Sequence, residues 1–244
     1  REAPLGLEQS LHAQGITIVE QARHPRKLKR GVHRTNRFVL RLSGDAIASD
    51  DFVNRWEALC QLGAPNYFGP QRFGHEGHNL QRAAAILNRG WRKRDDRQGM
   101  MLSTARSFLF NHLLSHRIAD GTWSQPLAGD TLMLDGTQSV FRIEASDATL
   151  QARAAELDVH PTGVLWGVGE RGQGDAARYE DALQQEYPDL CSGLERSGVN
   201  QSRRALRMRL LEPQLVWEAG AVKLAFALPR GSFATAVLSE LIEM

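Results

Sequence analysis

The sequence predicts an α+β fold in which a sheet domain is interrupted by a mainly helical insertion. Three observations carry that prediction: strand-like runs near the start, helical periodicities through the middle, and strand character that returns before a last helix. Residues 1–61 and 206–244 are accordingly assigned to one domain and residues 62–205 to the insertion. A chain of 244 residues with 42% hydrophobic and 24% charged residues can bury a core, which excludes collagenous, mucin-like and wholly disordered classes. No apolar run approaches the ~18 residues of a membrane span. Two cysteines, Cys60 and Cys191, are too few for a disulfide framework. A reducing, cytoplasmic setting is expected.

Element by element, Gly15 precedes Ile16-Thr17-Ile18-Val19-Glu20, a β-branched run that reads as a strand. Arg37 to Leu42 alternates polar and apolar residues at strand period. Asp50 or Asp51 can cap a helix whose stripe is Phe52, Val53, Trp56, Leu59 and Cys60, with Gly63 as its stop. Helical patterns follow over 79–90 and 103–121, the second with Ser103 as its cap and Phe108, Leu109, His112, Leu113 and Ile118 on its stripe. Loops and one small strand at Leu132-Met133-Leu134 precede another helix over 175–187. Leu215-Val216-Trp217, a turn at Ala219-Gly220 and the run 221–228 read as a hairpin. Ser232 is placed to cap a final helix through Val237, Leu238, Leu241 and Ile242.

Net charge is only +2, yet it is unevenly spread. Between Gln21 and Leu42 stand Arg23, Arg26, Lys27, Lys29, Arg30, Arg34, Arg37 and Arg41, with no acidic residue among them. Each phosphate that such cations neutralise releases a counterion, and arginine adds a bidentate fork, so the stripe points to nucleic acid. Arg89, Arg92, Lys93, Arg94 and Arg97 form a second group, and Arg203, Arg204, Arg207 and Arg209 a third. Both of these are read as solvated faces.

Four constellations compete for chemistry. Gly167 to Gly174 contains G-x-G-x-x-G, but His160-Pro161-Thr162-Gly163 ahead of it is a poor strand, so a mobile surface loop is expected rather than a nucleotide site. His112 and His116 lie four apart on a helix and His75-Glu76-Gly77-His78 adds two more, without a carboxylate or thiol at ligand spacing, so no metal is expected. Asn66-Tyr67-Phe68-Gly69-Pro70-Gln71-Arg72-Phe73-Gly74 is too rich in aromatics and glycines for a plain amphipathic helix. It suits an interdomain loop from which Arg72 faces a ligand. Last, Asn36-Arg37-Phe38 opens a strand just after the basic stripe, and Gly231-Ser232-Phe233-Ala234-Thr235 opens the last helix. An unstacked base needs a π-face and an amide at its edge, which Phe38, Phe233 and Asn36 supply; as single residues the two phenylalanines also suit a core.

Taken in order, the ARHPRKLKRG block of residues 22–31, Asn36-x-Phe38, the NYFGPQRFG block and Pro229-Arg230-Gly231-Ser232-Phe233-Ala234-Thr235 resemble the TruD family of tRNA pseudouridine synthases. The resemblance spans nearly the whole chain. It implies a pseudouridine synthase-type mixed-sheet domain, incomplete here, interrupted by a mainly helical insertion. It further implies isomerisation of a D-arm uridine, at position thirteen of certain tRNAs, without cofactor or metal, by a monomer. By that resemblance Asn36, Phe38 and Phe233 hold the uracil, while Arg23, Arg26, Lys27, Lys29, Arg30 and Arg72 bind RNA. The family's catalytic aspartate lies in a G-x-K-D motif upstream of the ARHPRKLKRG block. The chain starts after that point, so the nucleophile is expected to be missing and the isolated chain to be inactive. Two other readings stay open: a non-catalytic RNA-binding module that keeps the tRNA cleft, and a protein-interaction domain whose arginines only solvate its surface.

Overall fold

A computed structural model of the chain describes residues 33–242. The strand expected at residues 16–20 and the cations Arg23, Arg26, Lys27, Lys29 and Arg30 lie outside the described residues. Everything below concerns the compact unit that begins at Thr35.

The architecture is α+β. Strand β1 (Thr35–Ser43) lies beside the C-terminal hairpin formed by β8 (Leu211–Glu218) and β9 (Ala221–Pro229), in the antiparallel order β1-β9-β8. The register runs from Thr35 opposite Pro229 to Ser43 opposite Ala221. Alternation along β1 places Phe38, Leu40 and Leu42 on the face that meets helices α1 (Asp50–Leu62) and α7 (Ala234–Leu241). Phe52, Trp56, Val222, Leu224, Phe226 and Val237 fill that core. The cap of α1 is Ser49, whose side chain accepts from the Asp51 amide at 3.2 Å, rather than either expected aspartate. Gly63 does end the helix. Its φ of 78° is a left-handed value, and a Cβ there would come within 2.8 Å of the Met208 carbonyl oxygen.

The chain leaves this core through β2 (Ala64–Pro65) and returns through β7 (Arg207–Met208), which pair antiparallel, Ala64 opposite Met208. Between them lie α2 (His78–Asn88), α3 (Met100–Ala119), β3 (Thr131–Leu134), β4 (Val140–Arg142), α4 (Ala148–Ala155), β5 (Val159–Leu165), α5 (Ala177–Glu186), α6 (Pro188–Arg196) and β6 (Ser202–Ala205). The expectation of little strand content here is corrected: β4-β3-β5-β6 make a four-stranded antiparallel sheet. Its central strand is the segment read as a poor strand. Pro161, opposite Leu132, has no amide hydrogen to give the ladder, but its carbonyl still accepts from the Leu206 amide. Gly163 lets Phe110 of α3 lie against the strand, since a Cβ there would meet the ring at 2.9 Å. Leu87, Leu109, Phe110, Leu113, Leu114, Trp166 and Leu183 form the second core, and Tyr67 packs on both.

Two further helix starts differ from expectation. Helix α3 begins at Met100, not Ser103, because the Asp96 carboxylate accepts the amides of Met101 and Leu102, both at 3.1 Å. Helix α7 starts without a side-chain cap, and the Ser232 hydroxyl donates to Asn66 Oδ1 at 3.3 Å instead. The glycine stretch 167–174 does follow a buried strand. That strand is antiparallel to both neighbours, so no βαβ unit exists. The glycines there allow close backbone approach: a Cβ on Gly167 would lie 2.2 Å from the Val199 oxygen.

Candidate nucleic-acid interface

Strand alternation puts Asn36 and Phe38 on one face of β1, two residues apart. Asn36 is exposed and stands opposite Leu228; Phe38 is half-buried, its ring 5.8 Å from Phe226 across the ladder. Because Thr35 faces Pro229, the start of β1 and the turn after β9 share one end of the sheet. Gly231, with φ of 84°, reverses the chain there, and Phe233 follows it into α7.

A second group converges on Phe68. Its amide donates to Asn111 Oδ1 and its carbonyl accepts from Asn111 Nδ2, both at 2.9 Å, so one side chain of α3 fixes the backbone of the aromatic loop. The Phe68 ring meets Phe110 edge-on at 5.6 Å and lies 6.2 Å from Phe233. The guanidinium of Arg204 sits 4.0 Å above it and that of Arg72 at 5.5 Å. The structure therefore brings Arg72 and Phe233 together around one ring, whereas Phe38 has its ring neighbour in the sheet core.

Arg204 escaped the sequence reading. Its Nη1 donates to the Gly231 carbonyl at 3.0 Å, and its Nη2 donates to Asn66 Oδ1 at 2.5 Å and to the Asn66 carbonyl at 3.1 Å. One side chain thus ties the loop that opens the insertion to the turn that carries Phe233. Every acceptor is neutral. Burial, and then the charge of Arg72, lower the Arg204 pKa to about 9. Hydrogen bonds to polarised carbonyls and a desolvated cation–π contact of about 2 kcal/mol hold the charge there. Asn66 is satisfied on every side, its amide by Leu206 and its side-chain nitrogen by the Ala205 carbonyl.

The expected solvated face over residues 203–209 is corrected for Arg203, Arg204 and Arg207, whereas Arg209 is exposed as expected. Arg203 pairs with the buried Glu180 at 2.6 Å, and Arg207 donates to His160 Nδ1 and the Val159 carbonyl, both at 2.9 Å, and to the Ala154 carbonyl. The histidines on α3 have unrelated partners: Tyr187 hydroxyl for His112 and Glu186 for His116. Among the described residues no group of three or more His, Cys, Asp or Glu side chains is placed to hold a metal ion.

A family model for tRNA pseudouridine synthase D (TruD) matches residues 5–94 and 94–241. The tRNA pseudouridine synthase D of Chromohalobacter salexigens is 51% identical over 245 residues, which cover 100% of this chain and 70% of that protein. The proteins of the same name from Methylococcus capsulatus and Xanthomonas campestris are 39% and 43% identical, covering 96% and 93% of this chain and 67% and 66% of their own lengths. The chain thus spans about two thirds of the length of these relatives.

Proposed function

The chain belongs to the TruD family of tRNA pseudouridine synthases, and from that membership we propose that it binds tRNA and builds the wall of the pocket in which a D-arm uridine, at position thirteen, becomes pseudouridine. In that reaction the glycosidic C1′–N1 bond breaks and a C1′–C5 bond forms, C5 losing a proton and N1 gaining one, so atoms and charge balance without an external reactant. The proposed roles are specific. Phe38 and Phe233 offer π-faces to the extruded uracil, and the Asn36 amide bonds its edge or orients the attacking carboxylate. Arg72 contacts backbone phosphate, as do Arg23, Arg26, Lys27, Lys29 and Arg30 outside the described residues. The protein acts as a monomer in the cytoplasm; no described helix is long and apolar enough to cross a membrane.

The observation that supports the reading best is the common sheet end: the register Thr35 to Pro229 sets Asn36 and the Phe233 turn at one edge, where Arg204 anchors that turn. No lysine of the 244 residues precedes an aspartate, so G-x-K-D does not occur in them. The isolated chain is therefore proposed to bind RNA without turning it over, which equally suits the non-catalytic module. Unmodified tRNA carrying tritium at uridine C5 tests both parts. Binding that weakens about tenfold or more in Phe233→Ala, with no tritium released by the unsubstituted chain, is the expected outcome. Tritium release by the chain would refute the placement of the nucleophile, and undiminished binding by Phe233→Ala would refute the pocket.

A further inference from the structure

The turn between α2 and α3 holds Arg89, Arg92, Lys93, Arg94 and Arg97 within nine residues, against Asp95 and Asp96. All five cations are exposed. Of the two acids, Asp96 points inward: besides the Met101 and Leu102 amides it accepts from Trp91 Nε1 at 3.4 Å, and the Trp91 ring packs on the insertion core. Among the described residues the only carboxylate in ion-pair contact with any of the five is Asp95, 3.9 Å from Arg94. The backbone closes on itself, the Asp95 amide donating to the Arg92 carbonyl at 2.9 Å and the Gly99 amide to the Asp96 carbonyl at 3.1 Å. These backbone bonds order the turn that carries the cations, so binding need not order its main chain.

The turn also adjoins the site. Met100, three residues beyond Arg97, places its sulfur 3.9 Å from Arg72 Nη1, which also donates to Ser103 Oγ at 3.3 Å. Arg72 and Arg204 share the Phe68 ring with Phe233 as neighbour. The start of α3 therefore joins the 89–97 turn to Arg72, which in turn meets the Phe68 ring that Arg204 and Phe233 share.

We propose that the 89–97 turn is a second phosphate seat, which takes RNA backbone at a distance from the base held at Phe233 and so sets the line along which tRNA crosses the insertion. This rests on the reading of the chain as tRNA-binding. RNA backbone is the partner the chemistry favours: the cations are open to solvent, their turn runs into the helix start that Arg72 contacts, and each matches one phosphate of a repeating polyanion.

Binding of unmodified tRNA to the 244-residue chain over a range of salt tests the seat, with R92Q/K93Q/R94Q/R97Q as the variant. All four side chains are exposed, so the melting temperature should stay unchanged. The slope of log K against log salt should become shallower by about 2–4, and affinity at low salt should fall tenfold or more. An unchanged slope and affinity in the variant, with steep salt dependence in the parent, would overturn the seat and leave the tRNA reading standing. A parent that binds tRNA without salt dependence would remove both. Variant binding that is lost to polyglutamate but kept to tRNA would also overturn it, reassigning the turn to an acidic protein.

Discussion

Arg204 shows how much one side chain can join. Replacing it with methionine keeps much of the apolar stem but strands the acceptors on Asn66 and Gly231, so we expect a loss of about 2–4 kcal/mol in denaturant unfolding. Lysine should not rescue it, because a single ammonium cannot span both carbonyls with a planar fork. A melting curve for Arg204→Lys matching the parent would refute the cross-tie. The residue was hard to find in the sequence, since a strand arginine reads as solvated until its partners are known. Phe233, Arg72 and Asn36 stand in short motifs with recognisable spacing, and the structure brings the first two around Phe68. Ser232 was misread for the opposite reason: next to a helix start it looks like a cap, and only the fold reveals Asn66 as its partner.

Elements with one buried face declared themselves. Helix α1 matched its apolar stripe, and the β8–β9 hairpin was marked by its Ala219-Gly220 turn. Strand β5 did not, being buried along nearly all its length, with a proline and a glycine to dilute its propensity. Its glycine offers a sharp check. Gly163→Val would drive two methyl groups at the Phe110 ring and should cost about 1–3 kcal/mol. Thermal unfolding of that variant at the parental midpoint would show that helix α3 does not press on the strand as described. The start of α3 was missed for a related reason: Asp96 caps from four residues before the helix, beyond the spacing a cap search inspects.

For the whole molecule, the joint between the two cores matters most. Arg207, 2% exposed, reaches His160, and His160 Nε2 meets Asp135 at 2.8 Å. Burial raises the Asp135 pKa, but the hydrogen bond from His160 and the electrostatic pull of His160 and Arg209 outweigh it and leave the carboxyl below its ordinary value. A carboxyl depressed in the folded state contributes stability that is fully present above the unfolded value of about 4 and disappears as pH falls through the lower folded value. Asp135→Asn should therefore lower stability at pH 7 and flatten its dependence on pH below about 4. A variant with the parental acid profile would refute the assignment. No local pattern foretold this network, since its members come from the turn after β3, from β5 and from β7, and meet only after the insertion closes on itself. The ladder between Ala64 and Met208 has one more implication. Departure and re-entry occur at neighbouring points of the same surface, so lengthening or trimming the segment between them leaves the ends of the β1-β9-β8 layer in place as long as Asn66, Tyr67 and Arg204 keep their ties to it. To genetic change, the segment behaves as a long hairpin loop.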